Sequence, residues 1–500
     1  MTDPHSPALN NRQGQTSEHT LPLADQSLPY TAEADWLTVY EREKPVAVMF
    51  YVAYLLQGEA STQRPLTFVF NGGPGAASAY LHMGALGPRR VQFGADGTLP
   101  KPPVQVTDNP ESWLRFTDLV FIDPVGTGFS RQLPPEKAES AAAGSASDKP
   151  EETPFWEVER DLKALGEFMQ AFLSQHQRWL SPLLIAGESY GGFRVARLAQ
   201  MLQQDFGLGL SGAILISPAL EFSLLEGSDY NLSYWATLVP SFAAAAAYHQ
   251  RVSVRQDRLR HQQAAETLAR QRLIPLLALG SSAPATEQHS VYQELADLIG
   301  LPVSVVQKHG GRIDREVFAR ELLRDQGRVL GLYDASITSI DPFPDRLQFE
   351  GSDPTLDGVQ RLFTGAINHQ LRDQLGVKTD LMYHLLNFET FKAWKFSLKT
   401  EFKMGYLGAM DQLRVGLSLN PHMRVHISHG VFDLVTTYFA SMHLVDLMKL
   451  DLALRPNLTL TSYDGGHMFY SWDQSRQSWY REMHTWYASL GSVGEDLGEE

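Results

Sequence analysis

A chain of 500 residues with 43% hydrophobic content has material for one large core and an accessory domain. Its net charge of −15 argues against a nucleic-acid binder, which needs clustered Lys and Arg for phosphates, and no run approaches the ~18 apolar residues of a membrane span. With no cysteine, disulfides, thiolate metal sites and a cysteine nucleophile are excluded.

Residues 1–26 are polar and aperiodic and read as a disordered tail. They show no basic stretch followed by an apolar one, so the expected location is cytoplasmic. "PVAVMFYVAYLL" and "PLTFVFNGG" then read as strands, rich in Val, Phe and Tyr and ended by glycines. "DLVFIDPVGTGFS" is a short apolar strand stopped by Pro-Val-Gly. "PPEKAESAAAGSASDKPEET" is low in complexity and reads as a mobile surface loop. From Trp156 to about Gln177, Leu162, Leu165, Phe168, Met169 and Phe172 recur at helical spacing. "PLLIAG" reads as a buried strand, "FRVARLAQMLQQ" as the helix after it, and "GAILISPAL" as another buried strand. From about Phe222 to Gly408 the pattern is mostly helical, with Gly300 placed to end one helix and Asp314 to cap another. The βα rhythm returns with "GAMDQLRVGLSL", "MRVHISHG", "LTLTSYDGG" and a final helix. The division expected is a tail at 1–26, a core at 27–221 and 409–500, and a helical insertion at 222–408.

"AGESYGGFRV" places Ser189 between a strand and a helix, with glycines on both sides. A sharp strand-to-helix turn exposes the side chain at its apex, and only glycine tolerates the crowding beside it. Serine is a weak nucleophile at neutral pH. It needs a histidine to take its proton and a carboxylate to orient that histidine. Of 16 histidines, His467 stands on a glycine-rich loop directly after an expected strand, and Asp433 stands in the same way after another. Asp464 competes as the acid, but it is three residues from His467 on the same loop. His429 competes as the base, but it precedes Asp433 and breaks the order Ser, Asp, His expected of an α/β-hydrolase.

These segments resemble the serine carboxypeptidases, a family with yeast, plant, lysosomal and bacterial members. "NGGPGAASAYLHMGALGP" is similar to the family's N-G-G-P-G-x-S-S…E-L-G-P segment, and "FIDPVGTGFS" to its D-x-P-x-G-x-G-F-S strand end. "GESYGG" matches its nucleophile motif, "HGVFDLVTTY" resembles its G-x-x-D motif and "DGGHMFY" its G-x-G-H-M-x motif. The resemblance implies an α/β-hydrolase fold, a mostly parallel sheet flanked by helices, with the insertion as a helical lid. It implies Ser189 as nucleophile, Asp433 as orienting acid, His467 as base, and the N–H groups of Gly73 and Tyr190 as the oxyanion hole. Asn71, the Gly72 amide and Glu188 would hold a substrate's C-terminal carboxylate. The implied substrate is a peptide and the implied chemistry is hydrolysis through an acyl-enzyme, with no metal or organic cofactor; an acyltransferase or esterase on the same scaffold is the alternative, and a non-catalytic binding scaffold a third reading. There are two departures: the family's glutamate before L-G-P is Ala85, and its tryptophan two residues before Asn71 is Val69. Without that glutamate, Glu188 lacks its carboxyl partner, and His82, Arg89 and Arg194 are the candidates to compensate. Apolar residues of "YNLSYWATLVPSF" are expected to line substrate subsites beneath the lid.

Overall fold

Ten strands make the central sheet of the computed structural model, which describes residues 12–58, 63–134, 155–252, 258–346, 349–396 and 407–491. They are β1 Gln15–Pro22, β2 Ser27–Glu41, β3 Lys44–Leu56, β4 Leu66–Phe70, β5 Asp118–Ile122, β6 Arg131–Gln132, β7 Leu183–Glu188, β8 Leu210–Ile216, β9 Arg424–Gly430 and β10 Leu458–Tyr463. Their order is β1-β2-β3-β5-β4-β7-β8-β9-β10, with β6 paired to β3. From β5 to β10 every pairing is parallel; β1, β2 and β3 join antiparallel. This is the α/β-hydrolase fold. β4, β5 and β7 are buried at every position, because helices cover both faces of a parallel sheet.

On one face, α1 Val158–Gln175 and α2 Tyr190–Asp205 close a core through Leu162, Phe168, Phe193 and Leu198. Helix α9 Met410–Leu419 adds Leu413 and Leu417 to it. On the other face, α11 Asp473–Gly491 buries Trp479, Met483 and Tyr487 against Leu184 and Ile214.

The insertion leaves after β8 and returns at the same place, where the N–H of Phe222 donates to the carbonyl of Leu407 and that of Ala409 to Leu220. Its first half contains α3 Leu232–Tyr248, α4 Arg258–Leu268, α5 Ala285–Ile299 and α6 Arg315–Glu321. Gly300 ends α5 in the left-handed conformation, and the Asp314 carboxylate caps α6 by accepting from Glu316 N–H at 2.9 Å. This half has a core of its own, which docks on Val431, Phe432, Tyr438 and Phe439. The second half is different. Helix α7 Leu356–Asn368 packs Leu362, Phe363 and Ile367 into the core beneath the sheet rather than into a lid. It is followed by α8 Phe388–Ala393.

Two expectations need amendment, and a third falls outside the described residues. The tail read as disordered is β1 from Gln15 onward, hydrogen-bonded along its length to β2; only Leu21 of β1 is buried, so hydrophobicity gave little sign of it. The low-complexity segment after Leu133 lies, past Pro134, outside the described residues. Tyr234, Leu238, Val239 and Phe242 do not line a cleft; they fill the core of the insertion, while Tyr230 is exposed.

Candidate active site

Ser189 follows β7 directly and starts α2, with φ 62° and ψ −124°. A non-glycine residue at such a φ is strained and persists only when its surroundings fix it. Its N–H donates to Ile216 of β8 and its carbonyl accepts from Gly192 and Ala219, so neighbouring strand and helix hold the turn. The side chain is partly exposed and makes no hydrogen bond among the described residues.

The turn after β9 carries Asp433 and the turn after β10 carries His467, and the structure brings the two together. His467 Nδ1 lies 2.7 Å from Asp433 Oδ2. An ionised carboxylate only accepts, so Nδ1 carries the proton and Nε2 is the basic nitrogen. Asp433 is fully buried, and its Oδ1 accepts from the N–H groups of Val435 (2.8 Å) and Thr436 (3.0 Å). Thr436 Oγ1 stands 2.8 Å from Oδ2. Burial pushes the His467 pKa down, but the charge and hydrogen bond of Asp433, with help from Glu188, outweigh it and leave the imidazole raised. The loop after β8 ties this pair to the serine: Ser217 Oγ donates to the His467 carbonyl at 2.8 Å, and Ala219 N–H donates to the Ser189 carbonyl at 3.0 Å.

The loop after β4 presses against the elbow. A Cβ on Gly72 would stand 2.4 Å from Tyr190 N, and one on Gly191 would stand 2.6 Å from the Phe70 carbonyl oxygen. Only glycines allow this approach, which brings the Gly73 and Tyr190 amides to one region. Among the described residues neither N–H has a protein acceptor. Gly72→Ala should therefore push the two backbones apart. We expect turnover to fall about 10²-fold, the scale of a lost oxyanion donor or a misplacement of about 1 Å, with the circular dichroism unchanged. Wild-type turnover in this variant would place the oxyanion hole elsewhere.

Glu188, Asn71 and Gly72 also converge. Asn71 Oδ1 accepts from Leu81 N–H at 3.0 Å, which turns its amide nitrogen to donate to Glu188 Oε2. Tyr470 Oη lies 2.9 Å and 3.1 Å from the two Glu188 oxygens. Burial pushes the Glu188 pKa up to about 7, against the pull of His467, Tyr470 and Asn71. Tyr470 was not singled out by sequence reasoning, although it stands in the histidine motif. A Cβ on Gly84 would lie 2.8 Å from its ring, so the phenol occupies the space beside Gly84 and Ala85. Thr436 was also missed: its Oγ1 lies 2.9 Å from the Ser217 carbonyl and 3.1 Å from His467 Nδ1, positions far away in the chain that leave no local signal.

The candidates for compensation do not serve. His82 is buried, its Nε2 2.6 Å from Tyr54 Oη and its ring stacked on Phe121; burial pushes its pKa down to about 3 and keeps it neutral. Arg194 is fully buried and spent on Asp161 at 2.7 Å and the Asn71 carbonyl at 2.6 Å. Arg89 holds the Val106 carbonyl at 3.2 Å. The competing acid, Asp464, pairs at the surface with Arg258 of α4. The competing base, His429, faces Ser441 of α10 Tyr438–Leu447 at 2.8 Å. Among the described residues no three His, Asp or Glu side chains gather to hold a metal ion, and no helix is long and apolar enough to cross a membrane.

A family model described as serine carboxypeptidase matches residues 22–223, which include Asn71, Gly73 and Ser189 but not Asp433 or His467. The chain is similar to serine carboxypeptidase-like 13 of Arabidopsis thaliana, 29% identical over 219 residues, 43% of this chain and 45% of that protein. It is also similar to the pheromone-processing carboxypeptidase of Yarrowia lipolytica, 30% identical over 161 residues, 31% of this chain and 22% of that protein. The matches thus span less than half the length of these curated relatives. Among solved structures, proline iminopeptidase of Mycobacterium smegmatis aligns over 95% of this chain and 98% of its own, at 13% identity and a TM-score of 0.35. A likeness that loose carries no functional argument.

Proposed function

We propose that this chain, which matches the serine carboxypeptidase family model over residues 22–223, removes C-terminal residues from peptides through a Ser189 acyl-enzyme. The observation that carries this reading is the buried Glu188–Asn71 pair, one residue from the nucleophile, with Glu188 raised to about 7. A carboxyl protonated near neutral pH can donate to a substrate's terminal carboxylate, and the Asn71 amide and Gly72 N–H stand beside it. In this reading Ser189 Oγ attacks the scissile carbonyl and gives its proton to His467 Nε2. The oxyanion forms against the N–H groups of Gly73 and Tyr190, His467 returns the proton to the leaving amine, and water then releases the acyl group. Release of C-terminal residues from a peptide library, absent when the termini are amidated, is the expected result. Equal cleavage of free and amidated peptides would sink it.

A second reading, esterase or acyltransferase, is favoured by one observation: Ala85 leaves Glu188 without a carboxyl partner and with the Tyr470 phenol instead. The pH dependence separates the two. When Glu188 ionises, two anions meet in a cleft of lowered dielectric. The ratio of kcat/KM for a free-acid peptide to that for its amide cancels His467, which serves both substrates. We expect this ratio to be highest at low pH, to fall as pH rises through about 7, and to become flat in Glu188→Gln. A flat ratio in the wild type would assign the carboxylate to another group, and a ratio near one throughout would favour the second reading.

A further inference from the structure

One segment of the insertion, Gly331 to Ile337, interlocks with both turns that carry His467 and Asp433. The Leu332 carbonyl accepts from Leu434 N–H at 3.0 Å, and Ala335 N–H donates to the Phe432 carbonyl at 2.9 Å. The Tyr333 carbonyl accepts from His467 N–H at 2.5 Å, and the Tyr333 ring meets the imidazole edge to face at 5.3 Å. Between these contacts lies Asp334, 6% exposed. Its Oδ2 accepts from Gly466 N–H at 2.9 Å and from Trp472 Nε1 at 3.2 Å. Its Oδ1 accepts from Ser336 N–H at 2.9 Å and Ser336 Oγ at 2.5 Å. Residues 465–472 form the turn that presents His467, so this carboxylate grips the turn at its start and at its end. The approach is close: a Cβ on Gly466 would stand 2.1 Å from the Tyr333 carbonyl oxygen and 2.4 Å from Asp334 Cα.

We propose that Asp334 is a positioning residue for His467, its carboxylate fixing the Gly466–His467 backbone from the insertion side so that the imidazole stays in register between Asp433 and Ser189. Ser217 Oγ holds the His467 carbonyl from the sheet side at 2.8 Å, so the residue is held from two independent elements. Without the carboxylate, Gly466 N–H and the indole N–H lose their acceptor in a buried place, and the turn must move to satisfy them. The insertion is then part of the catalytic scaffold as well as a cover. A shift of about 1 Å in a catalytic group costs on the order of 10² in rate.

The proposal rests on His467 being the base for Ser189, and the test separates the two ideas. A fluorophosphonate reports on that base without any known substrate: Ser189 Oγ displaces fluoride at phosphorus and passes its proton to His467. Labelling of the wild type, none of Ser189→Ala and a large rate loss in His467→Ala establish the nucleophile and the base; failure there is failure of the functional reading. Given that result, Asp334→Ala should lower the maximal labelling rate about 10²-fold with the half-saturating concentration unchanged. Asp334→Asn should recover part of the loss, because its oxygen can keep Gly466 and Trp472 and its amide can donate to Ser336 Oγ, although that amide then faces the Ser336 N–H, which loses its acceptor. The far-downfield proton of the His467 Nδ1–H to Asp433 bond, sharp in the wild type, should broaden in Asp334→Ala. Ser336→Ala removes the Oγ contact with the other carboxylate oxygen, Oδ1, and keeps the backbone N–H contact; it leaves the histidine turn gripped and should label at the wild-type rate. Wild-type labelling by Asp334→Ala, or an equal loss in Ser336→Ala, would overturn the proposal. So would a loss that only follows the folded fraction while the downfield proton stays sharp.

Discussion

Ser189→Ala should lower turnover on the order of 10⁶-fold, and His467→Ala should cost about as much. The expectation follows from the roles: without the hydroxyl there is no acyl-enzyme, and without Nε2 the hydroxyl keeps its proton. The double variant should be little worse than either single one, because a nucleophile and its base act as a unit. The fold should survive Ser189→Ala. The strained φ of 62° is imposed by the backbone bonds to Ile216, Gly192 and Ala219, and among the described residues the side chain has no hydrogen-bond partner. Steady-state rates on any cleaved peptide or ester, with circular dichroism as the check on folding, measure this. Turnover of Ser189→Ala within tenfold of the wild type would remove Ser189 from the mechanism.

The elements legible in the sequence are those whose signal is local. β4, β5 and β7 are short continuous apolar runs, and the strand–Gly–x–Ser–x–Gly–helix order gives the elbow without any tertiary information. The caps Asp314 and Gly300 were legible for the same reason. β1 and β2 were not. Their burial comes through Leu21, Leu28, Tyr30, Ala32 and Ala34, and small alanines alternating with polar residues barely register as a hydrophobic face. An edge pair is held by its ladder, which any backbone can make.

Within the site, the candidates Ser189, Asp433 and His467 were readable because each follows a strand at the carboxyl edge of the sheet. Ionisable residues offered as partners for Glu188 were misplaced, because residue type does not tell burial. Arg194 has its cation consumed by Asp161, 33 residues away in another helix, and His82 is neutral against Phe121. The contacts of Tyr470 with Glu188 and of Asp334 with Gly466 join positions far apart in the chain. No periodicity or spacing encodes such pairs; they follow only from how the sheet and the insertion stack.

Asparagine at position 433 should lower turnover by about 10⁴ while asparagine at 464 leaves it nearly unchanged. Asp433 Oδ1 accepts two backbone N–H groups, those of Val435 and Thr436. An asparagine must turn its oxygen toward that pair, since an amide nitrogen there would face two donors. Its nitrogen then occupies the place of Oδ2 and donates to His467 Nδ1. The imidazole must accept through Nδ1, so its proton moves to Nε2, which can no longer take a proton from the nucleophile. The pH profile gives a second readout. His467 is a base only when neutral, and Asp433 helps to hold its pKa above the ordinary value despite burial. Wild-type activity therefore climbs as pH rises through that raised value. In Asp433→Asn, burial acts with one fewer opposing charge, the pKa drops, and the acid limb moves to lower pH beneath a much lower plateau. Asp464 is half-exposed and bound to Arg258, so its neutral variant loses a surface ion pair and touches neither nitrogen of His467. A large loss in Asp464→Asn beside a mild one in Asp433→Asn would reverse the assignment of the acid.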